Sequence, residues 1–579
     1  SKIEVFVTGS KGPQIISRYI APSRGFQSST EYTQTIGLGT IRQPDSVRVT
    51  WFDDKVTILR APKAGATLTL AHKEAKTASG TLPTKSNQAL FTNMPAPFEA
   101  HVENKYEDFF DERNIPMKLS SEGPKAAIGD VNGDGRQDVY IGGAKGQGGQ
   151  LYLQTPTGFT RSEQSVFREL SYFEDTAAQL FDADKDGDLD LFVGSGGNES
   201  PTGSRDLLNR LYINDGKGGF TLNGRALPPT TMNTSVAVAN DYDGDGDLDL
   251  FVGSRSYPKE YGVSPASFLY QNNGMGEFSD VTKRTAPDFA ELGMVRDAVW
   301  ADLNKDGRSE LVVVGDWMGP QVFSYTGGRF TRLNTGLSEL TGLWGSVAVA
   351  DIDGDNDNDL IIGNVGENFS LNADAQHPLK LWVNDFDKNG ILDKVMTKTM
   401  DGRDMPVFLK REMAEQFPFL KTKILKHSDY ATKTLQELFP SKVLEASQVK
   451  TITYRRSIVA INDGKGTGGL HFSVRDLPAA VQMTCVSAIA CDDLNNDGRK
   501  DLVLGGNFTH FTPQLGMIDA CQGVVLLNQP GGAFRVLSSK ESGYLTSGEV
   551  KQISPLVINK ERYLLNLVNN AAPSLFKRR

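Results

Sequence analysis

One nine-residue pattern restricts the possible folds of this chain more than any other feature, because it recurs seven times. In the copy at residues 241–249, side-chain oxygens stand at positions 1, 3, 5 and 9, and a glycine stands at position 6. Four carboxylates this close together repel one another unless a cation lies between them. Ca²⁺ prefers six to eight oxygen ligands at about 2.3–2.6 Å, and a tight turn at the glycine lets alternate side chains converge on it. The pattern therefore predicts a calcium-binding loop.

The seven copies agree at every predicted ligand position, since all 28 positions carry a side-chain oxygen. We therefore expect up to seven bound Ca²⁺ ions. Position 6 is glycine in six copies and Asn356 in the fifth, and asparagine tolerates positive φ better than most residues. The fifth loop, with this altered turn, and the sixth, with Asn389 at position 5, are predicted to bind most weakly. The predicted ligands, copy by copy, are Asp130, Asn132, Asp134 and Asp138; Asp182, Asp184, Asp186 and Asp190; Asp241, Asp243, Asp245 and Asp249; Asp302, Asn304, Asp306 and Glu310; Asp351, Asp353, Asp355 and Asp359; Asp385, Asp387, Asn389 and Asp393; and Asp493, Asn495, Asp497 and Asp501.

The residues that follow each loop exclude an EF-hand. An EF-hand needs a bidentate glutamate at position 12 and a helix on each side of the loop. Here position 12 is apolar in all seven copies: Ile141, Val193, Val252, Val313, Ile362, Met396 and Leu504. Each loop is therefore predicted to lead into a buried β-strand, and another strand-like run precedes it.

The repeating unit around each loop predicts a propeller blade. Several units continue with a third strand, such as residues 211–214, and a fourth near residue 220, which makes four antiparallel strands. Circular packing of such blades protects their edges. The tail at residues 550–579 has strand-like runs without a loop, and we expect it to close the ring with a strand from about residues 98–110. Merging the units at 351 and 385 gives seven blades, and keeping them apart gives eight.

The repeats, which cover residues 124–540 apart from one insert, resemble FG-GAP/VCBS repeats. Those repeats form the calcium-bearing blades of integrin-α-like propellers, so the resemblance implies the same fold and the same cation. The insert spans about residues 401–452, where apolar residues recur at helical spacing and predict two or three helices. This helical insert is interpreted either as a structural cap or as the place where function resides.

The first 75 residues predict a separate module of about six short strands, at 3–7, 14–20, 32–36, 46–51, 56–59 and 66–71. The turns Arg24-Gly25-Phe26 and Gly37-Leu38-Gly39 and the strand ending at Trp51 resemble the ASPIC/UnbV module. Arg24 and Trp51 are either binding residues or residues that pack and fix turns. Residues 76–98, rich in Ser, Thr, Pro and Lys, predict a linker.

The whole chain is thus predicted to be all-β. A small β-sandwich-like module at 1–75 and a linker at 76–98 precede a seven-bladed, or alternatively eight-bladed, calcium-binding propeller at 99–579. Because the chain begins at Ser1 within a strand-like run, we expect it to be a processed form or a fragment. No apolar run approaches the roughly 18 residues that a membrane-spanning helix needs.

Charge and cysteine content limit the possible partners. The formal net charge is −10, which disfavours nucleic acid as a partner. Cys485 and Cys491 lie too far apart along one predicted strand to pair with each other. Cys521 could pair with either of them, or all three could be buried free thiols.

Three functions remain open on the sequence. The first is a non-enzymatic protein, extracellular or at the outer-membrane surface, that binds a protein partner or a glycan; the resemblance also implies an accessory of an outer-membrane nutrient-uptake complex. The second is a calcium-dependent polysaccharide lyase or hydrolase, and the third is an architectural adhesion or assembly module. No established catalytic motif occurs. Candidate residues for a lyase are Lys410, Arg411, His427 and Tyr430, and candidates for a sugar-binding rim are Trp344, His377, Tyr430, Asn507 and His510.

Overall fold

The computed structural model describes residues 1–9, 12–21, 28–29, 31–53, 55–76, 89–466 and 469–579. The chain divides into two compact units, Ser1–Gln88 and Ala89–Arg579. The predicted turn Arg24-Gly25-Phe26 lies outside the described residues.

The first unit is built on one antiparallel sheet with the strand order β2-β1-β3-β4. Its strands are β1 Lys2–Gly9, β2 Gly12–Tyr19, β3 Ser46–Thr50 and β4 Val56–Arg60. Four of the six predicted strands are therefore confirmed, whereas the runs at 32–36 and 66–71 belong to no named strand. Trp51 packs against the small core of this sheet, and its indole N–H donates to Thr57 Oγ1 at 2.9 Å. These contacts favour a packing role for Trp51.

The second unit consists mainly of short antiparallel strands, as the alternation of apolar runs and turns predicted. In chain order they are β5 Phe91–Met94; β6 Ala126–Gly129, β7 Asp138–Ile141, β8 Gln150–Thr155, β9 Gly158–Ser162; β10 Asp175–Phe181, β11 Asp190–Ser195, β12 Arg210–Asn214, β13 Phe220–Leu222; β14 Asn233–Asn240, β15 Asp249–Ser256, β16 Phe268–Asn272, β17 Phe278–Asp280; β18 Met294–Ala301, β19 Glu310–Met318, β20 Gln321–Thr326, β21 Arg329–Arg332, β22 Gly342–Leu343; β23 Ser346–Ala350, β24 Asp359–Gly363; β25 Leu379–Asn384, β26 Asp393–Met400, β27 Arg403–Pro406, β28 Gln448–Ile452; β29 Ile458–Gly466, β30 Gly469–Asp476; β31 Val486–Asp492, β32 Asp501–Gly506, β33 Val524–Gln529, β34 Ala533–Leu537; β35 Val550–Ile558, β36 Glu561–Val568 and β37 Ser574–Arg578.

The helices of this unit are all short. The α-helices are α1 Asp108–Asp111, α2 Ser165–Glu169, α3 Thr282–Thr285, α4 Lys410–Gln416, α5 Leu420–Lys423, α6 His427–Ala431, α7 Leu435–Leu438, α8 Ser441–Glu445 and α9 Ser539–Ser542. Single 3-10 turns lie at Arg205–Leu207, Pro287–Glu291, Leu337–Glu339 and Val481–Met483, and the first unit has one at His72–Glu74. In the described part of the chain, no helix has both the length and the apolar character to cross a membrane.

Most sheets follow the meander that a blade requires. The strand orders are β6-β7-β8-β9, β10-β11-β12-β13, β14-β15-β16-β17, β18-β19-β20-β21 with β22 added beside β19, β23-β24-β29-β30, β31-β32-β33-β34 and β35-β36-β37-β5. The first strand of each sheet packs on the first strand of the next, from β6 through β10, β14, β18, β23 and β31 to β35. The Gln552 side chain then joins β35 to β6 through hydrogen bonds with the main chain of Ala126. The last sheet is thereby linked to the first.

Side-chain hydroxyls reinforce the contacts between consecutive first strands. Thr176 Oγ1 donates to the carbonyl of Thr234 at 2.5 Å, and Ser235 Oγ donates to Val295 at 2.7 Å. Ser487 Oγ makes the equivalent bond to Val550 at 2.5 Å. Small polar residues near the start of these strands thus donate directly to main-chain carbonyls of the next first strand.

The last sheet corrects the predicted closing strand. β37 pairs with β5, Phe91–Met94, and Phe576 lies opposite Asn93. The predicted segment 98–110 contributes only α1. The sequence predicts a linker over Phe91–Met94, because four residues in a polar, proline-containing stretch carry too little periodicity to reveal a strand.

The insert is longer than predicted. β24 pairs directly with β29, with Leu360 opposite Ala460, so the chain between these two strands is an insertion within one sheet. The insertion contains its own sheet, of order β27-β26-β25-β28, and the five helices α4–α8 where two or three were predicted. The unit at 385 therefore belongs to the insert. Its helices bury Met413, Phe417 and Leu435 completely in one core that also includes Met117 and Phe511.

Candidate functional site

The seven acidic loops occupy one structural position. Each lies between two adjacent strands, and its position 9 is the first residue of the second strand, which is β7, β11, β15, β19, β24, β26 or β32. All seven position-9 side chains are buried, with no more than 3% of any of them exposed. Position 9 therefore anchors each loop to the sheet, whereas positions 3 and 5 lie nearer the solvent.

The turn at position 6 has the geometry that the sequence predicted. The six glycines have φ between 80° and 96°, and Asn356 has φ of 65°. In every loop the position-1 carboxylate accepts a hydrogen bond from the N–H of position 6, at 2.7–3.2 Å. The left-handed turn thus folds the loop back onto its first carboxylate.

Four loops bring three carboxylates together, with ligand oxygens within 4.8 Å of one another. The groups are Asp182, Asp184 and Asp190; Asp241, Asp243 and Asp249; Asp351, Asp353 and Asp355; and Asp385, Asp387 and Asp393. In the other three loops position 3 is an asparagine, Asn132, Asn304 or Asn495, so the amide oxygen replaces one carboxylate.

Oxygen atoms without donors indicate that these residues fit a hard cation. Asp182 Oδ1, Asp249 Oδ2, Asn304 Oδ1 and Asp387 Oδ1 are all buried and have no hydrogen-bond partner. Buried acceptors are normally satisfied, and leaving one unsatisfied is costly. An all-oxygen donor set with spare acceptors suits Ca²⁺, which would supply the missing positive charge.

The buried carboxyl groups have raised pKa values. Burial raises the pKa of Asp138, Asp190 and Asp359 to about 6, and neighbouring carboxylates of the same loop add to the shift. For Asp249, burial and the same-loop carboxylates raise the pKa to about 8. The site therefore resists holding several negative charges without a counter-ion.

One amide residue beside each of several loops was missed by the sequence analysis. The Asn214 side chain donates to the carbonyls of Leu189 in its own loop and of Val131 in the loop of the preceding sheet, at 3.1 and 2.8 Å. Asn272, Asn462 and Asn528 donate in the same way to the preceding loop, at Ala183, Leu303 and Ile352. The signal was present as an asparagine in the third strand, where Asn214 and Asn272 are the last residues, and it stands two residues before a glycine in the first three of these copies.

These asparagines also contact the position-9 carboxylates directly. The main-chain N–H of Asn214 donates to Asp190 Oδ1 at 2.9 Å, and that of Asn462 donates to Asp359 Oδ1 at 2.7 Å. A single residue therefore joins the carboxylate of one loop to the backbone of the preceding loop. We call Asn214, Asn272, Asn462 and Asn528 the bridging asparagines.

The bridge is replaced by aromatic packing at one junction. The sheet that follows residues 241–249 has Tyr325 in place of a bridging asparagine, and its ring lies 4.9 Å from that of Tyr242 in an edge-on contact. Phe330 packs against both rings. Within the described structure, Tyr242 donates no hydrogen bond to Asp249, and Asp249 Oδ2 has no partner.

The sixth loop is attached to the helices of the insert. Asp393 Oδ1 accepts from the Gln416 side chain in α4 at 2.7 Å. Phe386, at position 2, packs against Phe417 and Phe439 with ring centroids 5.9 and 4.8 Å apart. This loop therefore supports the insert instead of joining two of the consecutive sheets.

The prediction of a sugar-binding rim is wrong for three of the five residues assigned to it. Trp344, Tyr430 and Asn507 are buried, with exposed fractions of 0%, 6% and 4%. The Tyr430 hydroxyl donates to the carbonyl of Phe408 at 2.8 Å, so it also lacks the freedom expected of a lyase base. Their apolar neighbours, which come from distant parts of the chain, decide this burial. The three cysteines are free thiols, as the second alternative predicted, but only Cys485 and Cys521 are buried, whereas Cys491 is half-buried.

Family models match both units. The ASPIC and UnbV model matches residues 1–77, and the FG-GAP-like repeat model matches residues 130–193, 182–252 and 302–362. The chain carries an ASPIC and UnbV module followed by FG-GAP-like repeats. Both resemblances, to the ASPIC/UnbV module and to FG-GAP repeats, are thereby confirmed.

Relatives of this ASPIC/UnbV and FG-GAP-like chain are distant. Cartilage acidic protein 1 of Xenopus tropicalis is 24% identical over 283 residues, which are 44% of this chain and 42% of that protein. The chain thus spans less than half the length of this curated relative. The solved biofilm matrix protein Bap1 of V. cholerae is 11% identical, with 83% of this chain and 91% of that chain covered and a TM-score of 0.32. The Dos1 propeller is 10% identical, with 81% and 97% covered and a TM-score of 0.33.

Proposed function

We propose that this chain is a calcium-stabilised β-propeller scaffold that binds a partner outside the cell and has no catalytic activity of its own. The observation that carries the proposal is the bridging asparagine. It connects the position-9 carboxylate of one loop to the main chain of the preceding loop, so a cation in one blade would stabilise a contact between two blades. A site that is repeated around the ring in this way is better explained by a structural role than by a catalytic one.

The propeller is proposed to have seven blades. Seven sheets of the second unit have first strands that contact in sequence, and Gln552 links the last of them to the first. The eighth sheet lies in the insertion between β24 and β29 and takes no part in that succession. Its loop is proposed to hold a cation that stabilises the insert.

The proposed ligands are the 28 side chains at positions 1, 3, 5 and 9. Positions 1 and 9 would bind from the fixed base of the loop, because both already accept main-chain hydrogen bonds there. Positions 3 and 5 would complete the site from the solvent side. Calcium sites of extracellular modules typically have dissociation constants of about 10⁻⁴–10⁻³ M, which extracellular calcium fills and cytosolic calcium does not. The similarity to a cartilage protein supports the same location.

A turnover assay separates the scaffold from the enzymatic alternative. We expect the calcium-loaded protein to release no unsaturated or reducing ends from uronic-acid polymers, because the buried Tyr430 and the loop carboxylates are committed to structural contacts. Product formation would be followed by ultraviolet absorbance and a reducing-end assay, with a known lyase as the positive control. Calcium-dependent turnover that an Arg411→Ala variant abolishes would contradict the proposal.

A further inference from the structure

The insert carries a cationic surface on an otherwise acidic protein. Residues 419–427 contain three lysines and one histidine and no acidic residue, whereas the whole chain has a formal net charge of −10. Residues 409–411 add Leu-Lys-Arg. We call these two stretches together the insert surface.

The lysines of this surface are exposed and largely unpaired. Lys421 and Lys426 are exposed and form no ion pair within the described part of the chain, whereas Arg411 pairs with Glu415 at 3.3 Å. Elsewhere many lysines face a carboxylate, as in Lys380 with Asp404 at 2.8 Å. Positive charge on the insert surface is therefore available to an external partner.

Apolar side chains stand exposed among these charges. Leu425 is 78% exposed, Leu409 is 62% exposed and Phe419 is 36% exposed. Apolar side chains interspersed with lysines are typical of surfaces that bind the membrane interface. A partner that suits this surface therefore has negative charge at its surface and an apolar layer beneath it.

Buried residues hold the insert surface in place. Leu420 and Ile424 alternate with the exposed residues and are buried in the core beneath them, at 0% and 7% exposure. The Tyr430 hydroxyl bonds the carbonyl of Phe408 and so holds the start of α4 against α6. This contact brings residues 409–411 and 425–427 to one part of the insert.

We propose that the insert surface docks on a membrane containing anionic phospholipid. Lysine heads would lie at the phosphate level, and Leu409, Leu425 and Phe419 would enter the interfacial region of the bilayer. A soluble polyanion such as a sulfated glycan would account for the lysines but not for the exposed leucines. The proposal goes beyond the scaffold function and depends on it only because the insert must be folded.

Vesicle co-sedimentation tests the proposal on the full chain at constant millimolar calcium. We expect binding to phosphatidylcholine vesicles containing about a third phosphatidylglycerol, and at least about tenfold weaker binding by a Lys421→Glu/Lys426→Glu variant. The matched control is Lys217→Glu/Lys283→Glu, because both residues are exposed lysines outside the insert. The control should bind as the unmodified protein does.

A second variant distinguishes a membrane from a polyanion. Leu425→Ser should weaken vesicle binding while leaving any binding to dextran sulfate unchanged. Equal binding to vesicles of phosphatidylcholine alone, an equal loss in the control variant, or binding to dextran sulfate without binding to vesicles would each overturn the proposal. Melting curves of the same samples show whether each variant is folded, so a failure of docking is separable from a failure of the calcium scaffold.

Discussion

Chelating calcium should lower the melting temperature of the second unit by roughly 8 °C. At free calcium ten times above the dissociation constant, each site contributes about 1.4 kcal/mol to folding, so six loops joined to the ring contribute on the order of 8 kcal/mol. The unfolding entropy of about 2.1 cal/mol/K per residue converts this free energy into the stated shift for a unit spanning Ala89–Arg579. Scanning calorimetry with calcium and with EDTA measures it.

The loss of stability on chelation also has an electrostatic cause. Without a cation, buried groups such as Asp249 must either take up a proton or remain charged beside other carboxylates. Restoring calcium should restore the melting temperature, while an equal concentration of Mg²⁺ should restore less of it, because Mg²⁺ requires a tighter octahedral site. Identical melts in calcium and EDTA would contradict the calcium scaffold.

Replacing a bridging asparagine should be among the most damaging single substitutions in the ring. Asn214→Leu is expected to lower the free energy of unfolding by about 2–5 kcal/mol, because it leaves the carbonyls of Val131 and Leu189 buried without donors. Asn214 also accepts from the N–H groups of Asp215 and Gly218, and those bonds disappear too. Chemical denaturation measured in calcium gives the loss.

Asn273→Leu provides the matched control. It makes the same chemical change one residue after a bridging asparagine, at an exposed side chain. The Asn273 amide donates to the Glu277 carboxylate at 3.1 Å, and its oxygen accepts from the N–H groups of Met275 and Glu277, but it donates to no carbonyl of another loop. The expected loss is about 1 kcal/mol or less, because the groups that lose their partner lie at an exposed turn and can bond to water. Equal stabilities of the Asn214 and Asn273 variants would show that the bridge contributes nothing to the ring.

The sequence predicted the local backbone geometry of the loops well. Position 9 begins a strand in all seven copies, and the positive φ of Asn356 follows from the same turn geometry as the glycines. These features depend on residues within nine positions of one another. Local spacing therefore carries enough information to place them.

Features set by distant contacts could not be predicted in the same way. The extent of the insert depends on the pairing of Leu360 with Ala460, about a hundred residues apart. The closing strand Phe91–Met94 is defined by its partner β37 and not by its own pattern. The bridging role of Asn214 depends on the carbonyl of Val131 in the preceding sheet. Each of these requires knowledge of which sheets are neighbours.

The most direct test of the central claim is to locate the ions. Crystals grown in calcium, with diffraction data collected at a wavelength where calcium scatters anomalously, should show a peak among positions 1, 3, 5 and 9 of the loops. Peaks should be strongest at residues 182–190 and 241–249, where three carboxylates converge and position 6 is glycine. They should be weakest at the fifth loop, with Asn356 at position 6, and at the sixth, with Asn389 at position 5. Loops that remain without anomalous peaks at millimolar calcium would contradict the account.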